Sequence, residues 1–263
     1  MAALTESIVT KEAESLHKAA QLKSTLPPLT TRYPEIDPDD AYRIQLACVR
    51  LKEKEGQKII GKKIGLTSKA MQRMLSVDEP DYGHIFNGML VEDGGSVHTG
   101  ELIQPKVEPE IAFILDRDLR GAGVTALDVL AATRFVVPAL EIIDSRIENW
   151  KIKLCDTIAD NASSGRVVLG STPRNVDQIN LRLVGMVLER NGEVVQTGAG
   201  AAVLGNPANA VAWLANAVGR YGVDLKAGEI VMPGALTAAV DVNCGDLFQA
   251  SFDGFGSVSV RFV

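Results

Sequence analysis

The alternation of apolar and polar residues divides the chain into a helical first fifth and a strand-rich remainder. Residues 8–24 place apolar side chains at helical spacing among Lys and Glu, which predicts an amphipathic helix ended by the pair Pro27-Pro28. A second helix is predicted from Asp37 to Gly56, with Asp37 as N-cap and a proline at the first helical position. We therefore expect residues 1–57 to form a helical segment that packs against or caps the rest.

From Lys58 onward, short β-branched runs interrupted by glycines predict strands, and Asn191-Gly192 predicts a tight hairpin. The predicted strands cover residues 58–65, 107–114, 135–143, 167–169, 184–188, 194–195, 228–232, 249–252 and 258–262. Helices are expected at 125–132 and 207–218, and a short one from Thr67 through Leu75; loops are expected at 78–83 and 156–165. The pattern predicts an α+β protein whose second part, 58–263, is mixed β.

Composition excludes several classes of function. The chain has 263 residues, 46% hydrophobic and 23% charged, which is ordinary for a soluble globular protein. A net charge of −6 argues against nucleic acid or anionic membranes as general partners. Three widely spaced cysteines without C-x-x-C spacing indicate a reducing compartment and no zinc site. The sequence has no long apolar run and no signal-peptide pattern, so we expect a cytoplasmic protein.

Three glutamates are the strongest candidates for chemistry. Glu108 and Glu110 are two residues apart in a predicted strand, so their side chains should share one face. Glu141 lies in the apolar run 135–143, where a carboxylate is either misplaced or paired. Three carboxylates without nearby His or Cys would suit a hard divalent cation, Mg²⁺ or Mn²⁺. The alternative is surface carboxylates with one buried ion pair to an arginine such as Arg146.

Other polar residues are ambiguous on pattern alone. Lys63, flanked by glycines, either faces a cleft or lies on a solvated strand edge. Asp81 precedes Tyr-Gly and has the pattern of a turn aspartate, and Asp160 to Ser164 that of a capping loop. His84 follows the Asp81 segment and could line a cleft. The pattern alone assigns no role to these residues; a role is implied only by the resemblance of longer segments to a known family.

Four segments together closely resemble the 2-hydroxypenta-2,4-dienoate (2-keto-4-pentenoate) hydratases of the fumarylacetoacetate hydrolase superfamily. They are Gly61-Lys62-Lys63-Ile64-Gly65-Leu66-Thr67-Ser68, Pro80-Asp81-Tyr82-Gly83, Gln104-Pro105-Lys106-Val107-Glu108-Pro109-Glu110-Ile111-Ala112 and Asp156-Thr157-Ile158-Ala159-Asp160-Asn161-Ala162-Ser163. The resemblance spans nearly the whole chain. It implies a mixed β-sheet roll of the superfamily's C-terminal-domain type, preceded by the helical segment, with residues 1–263 forming a single catalytic domain.

The resemblance also implies a reaction and a set of residue roles. The enzyme would add water to 2-hydroxypenta-2,4-dienoate, or a close alkyl homologue, to give 4-hydroxy-2-oxopentanoate in meta-cleavage breakdown of aromatics or steroids. It implies Mg²⁺ or Mn²⁺, a homo-oligomer and a complex with the pathway decarboxylase. Which catalytic residue is the general base stays open. The implied metal ligands are Glu108, Glu110 and Glu141, the catalytic residues Lys63 and Asp81, and the substrate-binding residues Ser163 and Leu66.

Three other functions remain open on the sequence. The related 4-oxalocrotonate decarboxylases share the implied fold and glutamates, and the segment 144–149 leans partly towards them, whereas 62–65 and 149–153 are closer to the hydratases. A carbon–carbon hydrolase would need an acid–histidine pair, for which His84 is the candidate. A non-catalytic partner subunit of the decarboxylase would not need the complete set of site residues.

Overall fold

Helices precede and surround a strand-rich body in the computed structural model, which describes residues 3–69, 72–73 and 77–263. The α-helices are α1 (Glu6–Leu22), α2 (Leu29–Arg32), α3 (Pro38–Lys54), α4 (Ala126–Ala132), α5 (Leu154–Ala159) and α6 (Pro207–Gly219). As predicted, Asp37 is the N-cap of α3 and accepts a hydrogen bond from the Asp40 amide. Thr125 is the N-cap of α4. None of the described helices is long and apolar enough to cross a membrane.

The strands of the described residues form two sheets. They are β1 (Ile59–Gly65), β2 (Asp81–Phe86), β3 (Leu90–Val91), β4 (Ser96–Val97), β5 (Lys106–Leu115), β6 (Thr133–Ile143), β7 (Ser164–Leu169), β8 (Gly185–Arg190), β9 (Glu193–Ala199), β10 (Ile230–Met232), β11 (Val240–Asp241), β12 (Leu247–Phe252) and β13 (Gly256–Phe262). The larger sheet has the order β2-β1-β10-β5-β6-β7-β3, with β11 also paired to β5, and the smaller sheet the order β4-β13-β12-β8-β9. The predicted α+β class is confirmed.

The two sheets bury an apolar layer between them, and the helices cover part of the larger sheet's other side. Ile111, Phe113 and Leu140 of the larger sheet belong to the same buried cluster as Phe248 and Val260 of the smaller one. The alternate residues of β5 and β6 point to the opposite face. That face carries the glutamates, so the large sheet supports the candidate site on one side and the main core on the other.

The N-terminal helices pack on α5 rather than standing apart. Val9, Leu16 and Ile44 form a buried cluster with Ile158 and Cys155 of α5. Helix α5 leads directly into the segment that carries Ser163. The helical layer therefore contacts the elements that build the candidate site.

Four predicted elements have boundaries that are wrong or untested. Helix α1 ends at Leu22, where Lys23 takes a left-handed conformation, well before the proline pair. The predicted loop 78–83 is already strand from Asp81 onward. The predicted loop 156–165 contains most of α5 and a 3-10 turn, because the small polar residues find tertiary partners. Residues 70–71 and 74–75 of the short helix predicted from Thr67 through Leu75 lie outside the described residues, so this helix is untested.

Candidate active site

The three predicted glutamates meet on one face of the larger sheet. Strands β5 and β6 pair antiparallel, and the register sets Glu108 directly opposite Glu141. Glu110 lies two residues along β5 on the same face. One carboxylate oxygen from each residue lies within 4.8 Å of the others. Glu110 and Glu141 are fully buried, so these charges share a site with little access to water.

The donor atoms of this cluster fit a divalent cation. Glu110 Oε1 and both oxygens of Glu141 accept no hydrogen bond from the described residues, although burial without a partner is costly. Burial and the neighbouring Glu141 raise the pKa of Glu108 to about 7, and the same two causes raise the pKa of Glu110 well above its ordinary value. An oxygen-only ligand set with unsatisfied negative charge suits Mg²⁺ or Mn²⁺.

Lys63 extends from β1 into the carboxylate cluster. Its Nζ lies 3.3 Å from Glu141 Oε1 and donates a hydrogen bond of 2.8 Å to the carbonyl of Ala162. Burial lowers the pKa of Lys63, but four surrounding carboxylates, Glu141 foremost, outweigh burial, so the pKa is above its ordinary value. Lys63 is therefore a buried ammonium ion, and the solvated strand edge left open by the sequence is wrong.

Asp81 is a buried strand residue beside Lys63, and not the turn aspartate that its pattern suggests. It begins β2 and pairs with Gly65 at the end of β1. A Cβ on Gly65 would lie 2.1 Å from Asp81 Oδ1, so the carboxylate fills the space above this glycine. Burial raises the pKa of Asp81, and Lys63 partly offsets this. Leu66 follows Gly65 in a left-handed conformation (φ 58°) and is half-buried.

Ser163 reaches the site on a turn with unusual backbone geometry. Asn161, Ala162 and Ser163 have φ values of 55°, 49° and 54°, all in the left-handed region that non-glycine residues seldom adopt. Ser163 is buried, and its Oγ has no hydrogen-bond partner among the described residues. Strained backbone at such a turn persists only where surrounding structure holds it. The turn thus presents an unpaired hydroxyl and the Ala162 carbonyl to the cluster.

Two residues that the sequence offered as partners of the site's acids, Arg146 and His84, do not contact those acids. Arg146 forms its ion pair with Asp160 and donates to backbone carbonyls, so the proposed pairing of an arginine with the glutamates is wrong. His84 is three residues from Asp81 on the same strand, and its side chain therefore points to the other face. Burial and nearby Lys62 lower the pKa of His84 to about 4. An acid–histidine pair between His84 and Asp81 is excluded by this geometry.

One contact of the cluster was not predicted from the sequence. The backbone N–H of Gly234 donates a 2.8 Å hydrogen bond to Glu110 Oε2. Gly234 has φ 119°, and a Cβ there would lie 2.0 Å from Thr67 Oγ1. In the sequence, Gly234 is a glycine two residues after the short apolar strand β10. Glycines after strands are too common for this one to indicate a contact with the cluster.

Comparison with known proteins identifies the family. Residues 64–263 match the model described as fumarylacetoacetate (FAA) hydrolase C-terminal. The chain belongs to the fumarylacetoacetate hydrolase family. The predicted fold type and the resemblance to the 2-keto-4-pentenoate hydratases are confirmed by this match and by curated relatives.

Relatives within the family carry two kinds of names. The chain is 49% identical over 250 residues to the 2-keto-4-pentenoate hydratase of Paraburkholderia xenovorans (strain LB400), covering 95% of this chain and 93% of that one. It is 45% identical over 260 residues to the 4-oxalocrotonate decarboxylase of Pseudomonas sp. (strain CF600), covering 99% and 98%. Sequence identity thus separates the hydratase from the decarboxylase by only a few per cent.

A solved structure shares the whole fold. The 4-oxalocrotonate decarboxylase from Pseudomonas putida G7, complexed with magnesium and adipate, superposes with a TM-score of 0.97 at 42% identity and 100% coverage of both chains. That protein binds a divalent cation together with a dicarboxylate. Among the described residues, Glu108, Glu110 and Glu141 form a group of carboxylates that could hold a metal ion.

Proposed function

We propose that this protein is a metal-dependent hydro-lyase that adds water to 2-hydroxypenta-2,4-dienoate, or a close alkyl homologue, to give 4-hydroxy-2-oxopentanoate. The observation that carries this proposal is the buried Lys63 ammonium set against three converging glutamates, in a chain 49% identical to a 2-keto-4-pentenoate hydratase. Such a site suits an anionic 2-oxo acid in meta-cleavage catabolism. Residues 1–263 would act as one catalytic unit.

Glu108, Glu110 and Glu141 would hold Mg²⁺ or Mn²⁺. When bound, the ion supplies positive charge for the substrate carboxylate and Lewis acidity at the 2-oxygen. The support for this assignment is the set of buried carboxylate oxygens without hydrogen-bond donors. The ligand atoms alone do not favour Mg²⁺ over Mn²⁺, because both ions accept three carboxylate ligands.

The remaining site residues would handle protons and orient the substrate. The dienol releases its 2-hydroxyl proton to solvent water and gains one at C5 to form the conjugated enone; water then adds its hydroxyl at C4 and a proton at C3. Because Lys63 is held as an ammonium, we assign proton donation to Lys63 Nζ. The Asp81 carboxylate would accept the proton of the attacking water. The unpaired Ser163 Oγ would donate to the substrate carboxylate, and Leu66 would contact the alkyl tail.

A second candidate is decarboxylation of a 2-oxo-hexenedioate. It is favoured by the superposition on the decarboxylase from Pseudomonas putida G7, whose bound adipate carries two carboxylates. A third, the non-catalytic partner subunit of a decarboxylase, is disfavoured because the carboxylates and Lys63 form a complete buried cluster here. The assay below separates all three.

The test follows the ultraviolet absorbance of 2-hydroxypenta-2,4-dienoate with purified protein, with and without Mg²⁺ or Mn²⁺. We expect metal-dependent loss of the dienol and a kcat/KM for hydration well above that for CO₂ release from 4-oxalocrotonate. Faster CO₂ release would establish the decarboxylase instead. Full hydration activity after exhaustive chelation would contradict the metal assignment. No turnover of either substrate, with binding to the decarboxylase, would identify a partner subunit.

The protein would work in the cytoplasm as a homo-oligomer, and in complex with the pathway decarboxylase. These proposals rest on the family resemblance and on the acidic, cysteine-poor composition of the chain. Light scattering coupled to size-exclusion chromatography, with and without added decarboxylase, measures both associations. A monomer that does not shift on adding the decarboxylase would contradict them.

A further inference from the structure

Strand β2 lies at the edge of the larger sheet, and two buried amide side chains occupy its free edge. Gln45 Nε2 donates hydrogen bonds of 2.9 Å to the Tyr82 carbonyl and 2.7 Å to the Ile158 carbonyl. Asn161 accepts from the His84 amide at 2.8 Å and donates to the His84 carbonyl at 2.9 Å. The open edge of β2 is thus paired by side chains in place of a neighbouring strand.

These hydrogen bonds tie β2, which carries Asp81, to α5 and to the left-handed turn. Asp81 begins the strand whose next residue, Tyr82, is held by Gln45. Asn161 starts the left-handed turn whose following carbonyl, Ala162, holds Lys63 Nζ. The turn also packs closely on the strand, because a Cβ on Gly83 would lie 2.3 Å from the Asn161 carbonyl oxygen. Moving β2 relative to the turn would therefore move both Asp81 and Lys63.

The surroundings of Gln45 indicate that its role is to donate the two hydrogen bonds of its Nε2. It is fully buried, and its Oε1 has no hydrogen-bond partner among the described residues. Burying a polar amide with an unused oxygen is unfavourable, and only its two hydrogen bonds offset that cost. Gln45 also lies in α3, before residue 64 where the family match begins. The N-terminal helices thus contribute directly to the surroundings of the site.

We propose that Gln45 and Asn161 are positioning residues for the reaction: together they fix the edge strand β2 against the left-handed turn, and so fix Asp81 relative to Lys63. The proposal deepens the proposed function and rests on it for the kinetic readout. Neither amide needs to contact the substrate for this role. Each acts through the backbone that it holds, and Gln45 does so from α3 of the N-terminal helical segment.

The test compares Gln45→Glu with Ile44→Ala. The first variant keeps the side-chain volume but sets carboxylate oxygens against two carbonyls, while the second removes apolar packing one residue away in the helical cluster. We expect Gln45→Glu to lower kcat by about tenfold or more, with KM changed far less, since small misplacements of reacting groups act mainly on the chemical step. Mn²⁺ affinity, measured by calorimetry, should stay the same. Ile44→Ala should keep kcat near wild type.

Hydrogen–deuterium exchange of residues 81–86 gives a readout that does not depend on the reaction. In Gln45→Glu these amides should exchange at least several-fold faster than in wild type, and in Ile44→Ala they should not. If Gln45→Glu does not fold, Gln45→Met carries the same comparison without the added charge. A kcat equal to that of Ile44→Ala, or unchanged exchange in β2, would overturn the proposal. If wild type does not hydrate the dienol, the proposed function fails while exchange still decides whether Gln45 fixes β2.

Discussion

At the scale of single residues, the position of Lys63 matters most, because its Nζ lies 3.3 Å from Glu141 Oε1 of the glutamate cluster. Replacing it in Lys63→Ala removes the proposed proton donor while the glutamates remain. We expect kcat for hydration to fall by about a hundredfold or more, the usual contribution of a positioned acid or base. Metal binding should persist, since removing a cation from a carboxylate cluster does not weaken its attraction for another. Stopped-flow kinetics and calorimetry with Mn²⁺ measure the two effects.

The neighbouring lysine is a matched control. Lys62 is equally buried but points to the opposite face of β1, where its Nζ binds both carboxylate oxygens of Glu229 at 3.1 and 3.2 Å. Lys62→Ala should lower stability, because it removes the ammonium partner of Glu229 and leaves only the Lys226 amide as donor among the described residues. The kcat of its folded fraction should stay near wild type. Near-wild-type turnover in Lys63→Ala would remove Lys63 from the mechanism.

The residues of the site differed in how far the sequence revealed them. Glu108 and Glu110 were predictable because strand periodicity puts residues two apart on one face, and Glu141 because a carboxylate in an apolar run needs a partner. Asp81 was not predictable from pattern, since a single aspartate before Tyr-Gly has the composition of a turn. Its role came only from the family resemblance. Gln45 gave no signal, because its partners are carbonyls more than 35 residues away.

At the scale of elements, the contact between β2 and the left-handed turn depends on Gly83. A methyl group at this position would collide with the Asn161 carbonyl. We expect Gly83→Ala to push the turn from the strand, to cost about 1–3 kcal/mol of unfolding free energy, as overpacking does, and to lower kcat. Urea denaturation and the dienol assay measure the two effects.

A second strand glycine tests whether the effect is steric. Gly185 begins β8, and a Cβ there would meet no atom within 4 Å. Gly185→Ala should therefore change stability by no more than about 0.5 kcal/mol and leave kcat unaltered. If both alanine variants behave alike, the close approach of the turn to β2 is not what Gly83 provides.

Element boundaries show where local pattern loses to tertiary contacts. The segment 156–165 has the small polar composition of a loop, yet it begins inside α5. Asp156 is fully buried there and accepts hydrogen bonds from the amide and hydroxyl of Thr30 and from the Lys153 amide. Asp160 is held by Arg146. Thr30 is 126 residues from Asp156 along the chain, so this contact cannot be deduced from local composition. The Asn191-Gly192 hairpin, by contrast, is a local signal and was predicted correctly.

At the scale of the whole molecule, folding must bring three carboxylates together in the interior. In the metal-free protein the pKa of Glu108 rises from 4.5 to about 7, through burial and Glu141. A raised pKa means that the folded state favours the neutral acid. The contribution of this group to stability is therefore fully present below pH 4.5, declines as the pH rises towards 7, and is lost above that. Glu110 and Glu141 shift in the same direction.

A bound divalent cation reverses this dependence, because it binds the ionised carboxylates and releases their protons. At a concentration one hundred times Kd, a ligand stabilises the folded state by about 2.7 kcal/mol, which for a chain of this size raises Tm by roughly 5–10 °C. At one fixed concentration of Mn²⁺, we expect the rise in Tm to be clearly larger at pH 8 than at pH 5.5.

The variant Glu110→Gln should abolish this rise in Tm. Without metal, it should be at least as stable as wild type at pH 8, since one buried like charge is gone. A Tm shift that is independent of pH, or retained in Glu110→Gln, would mean that the ion stabilises the protein from some other site.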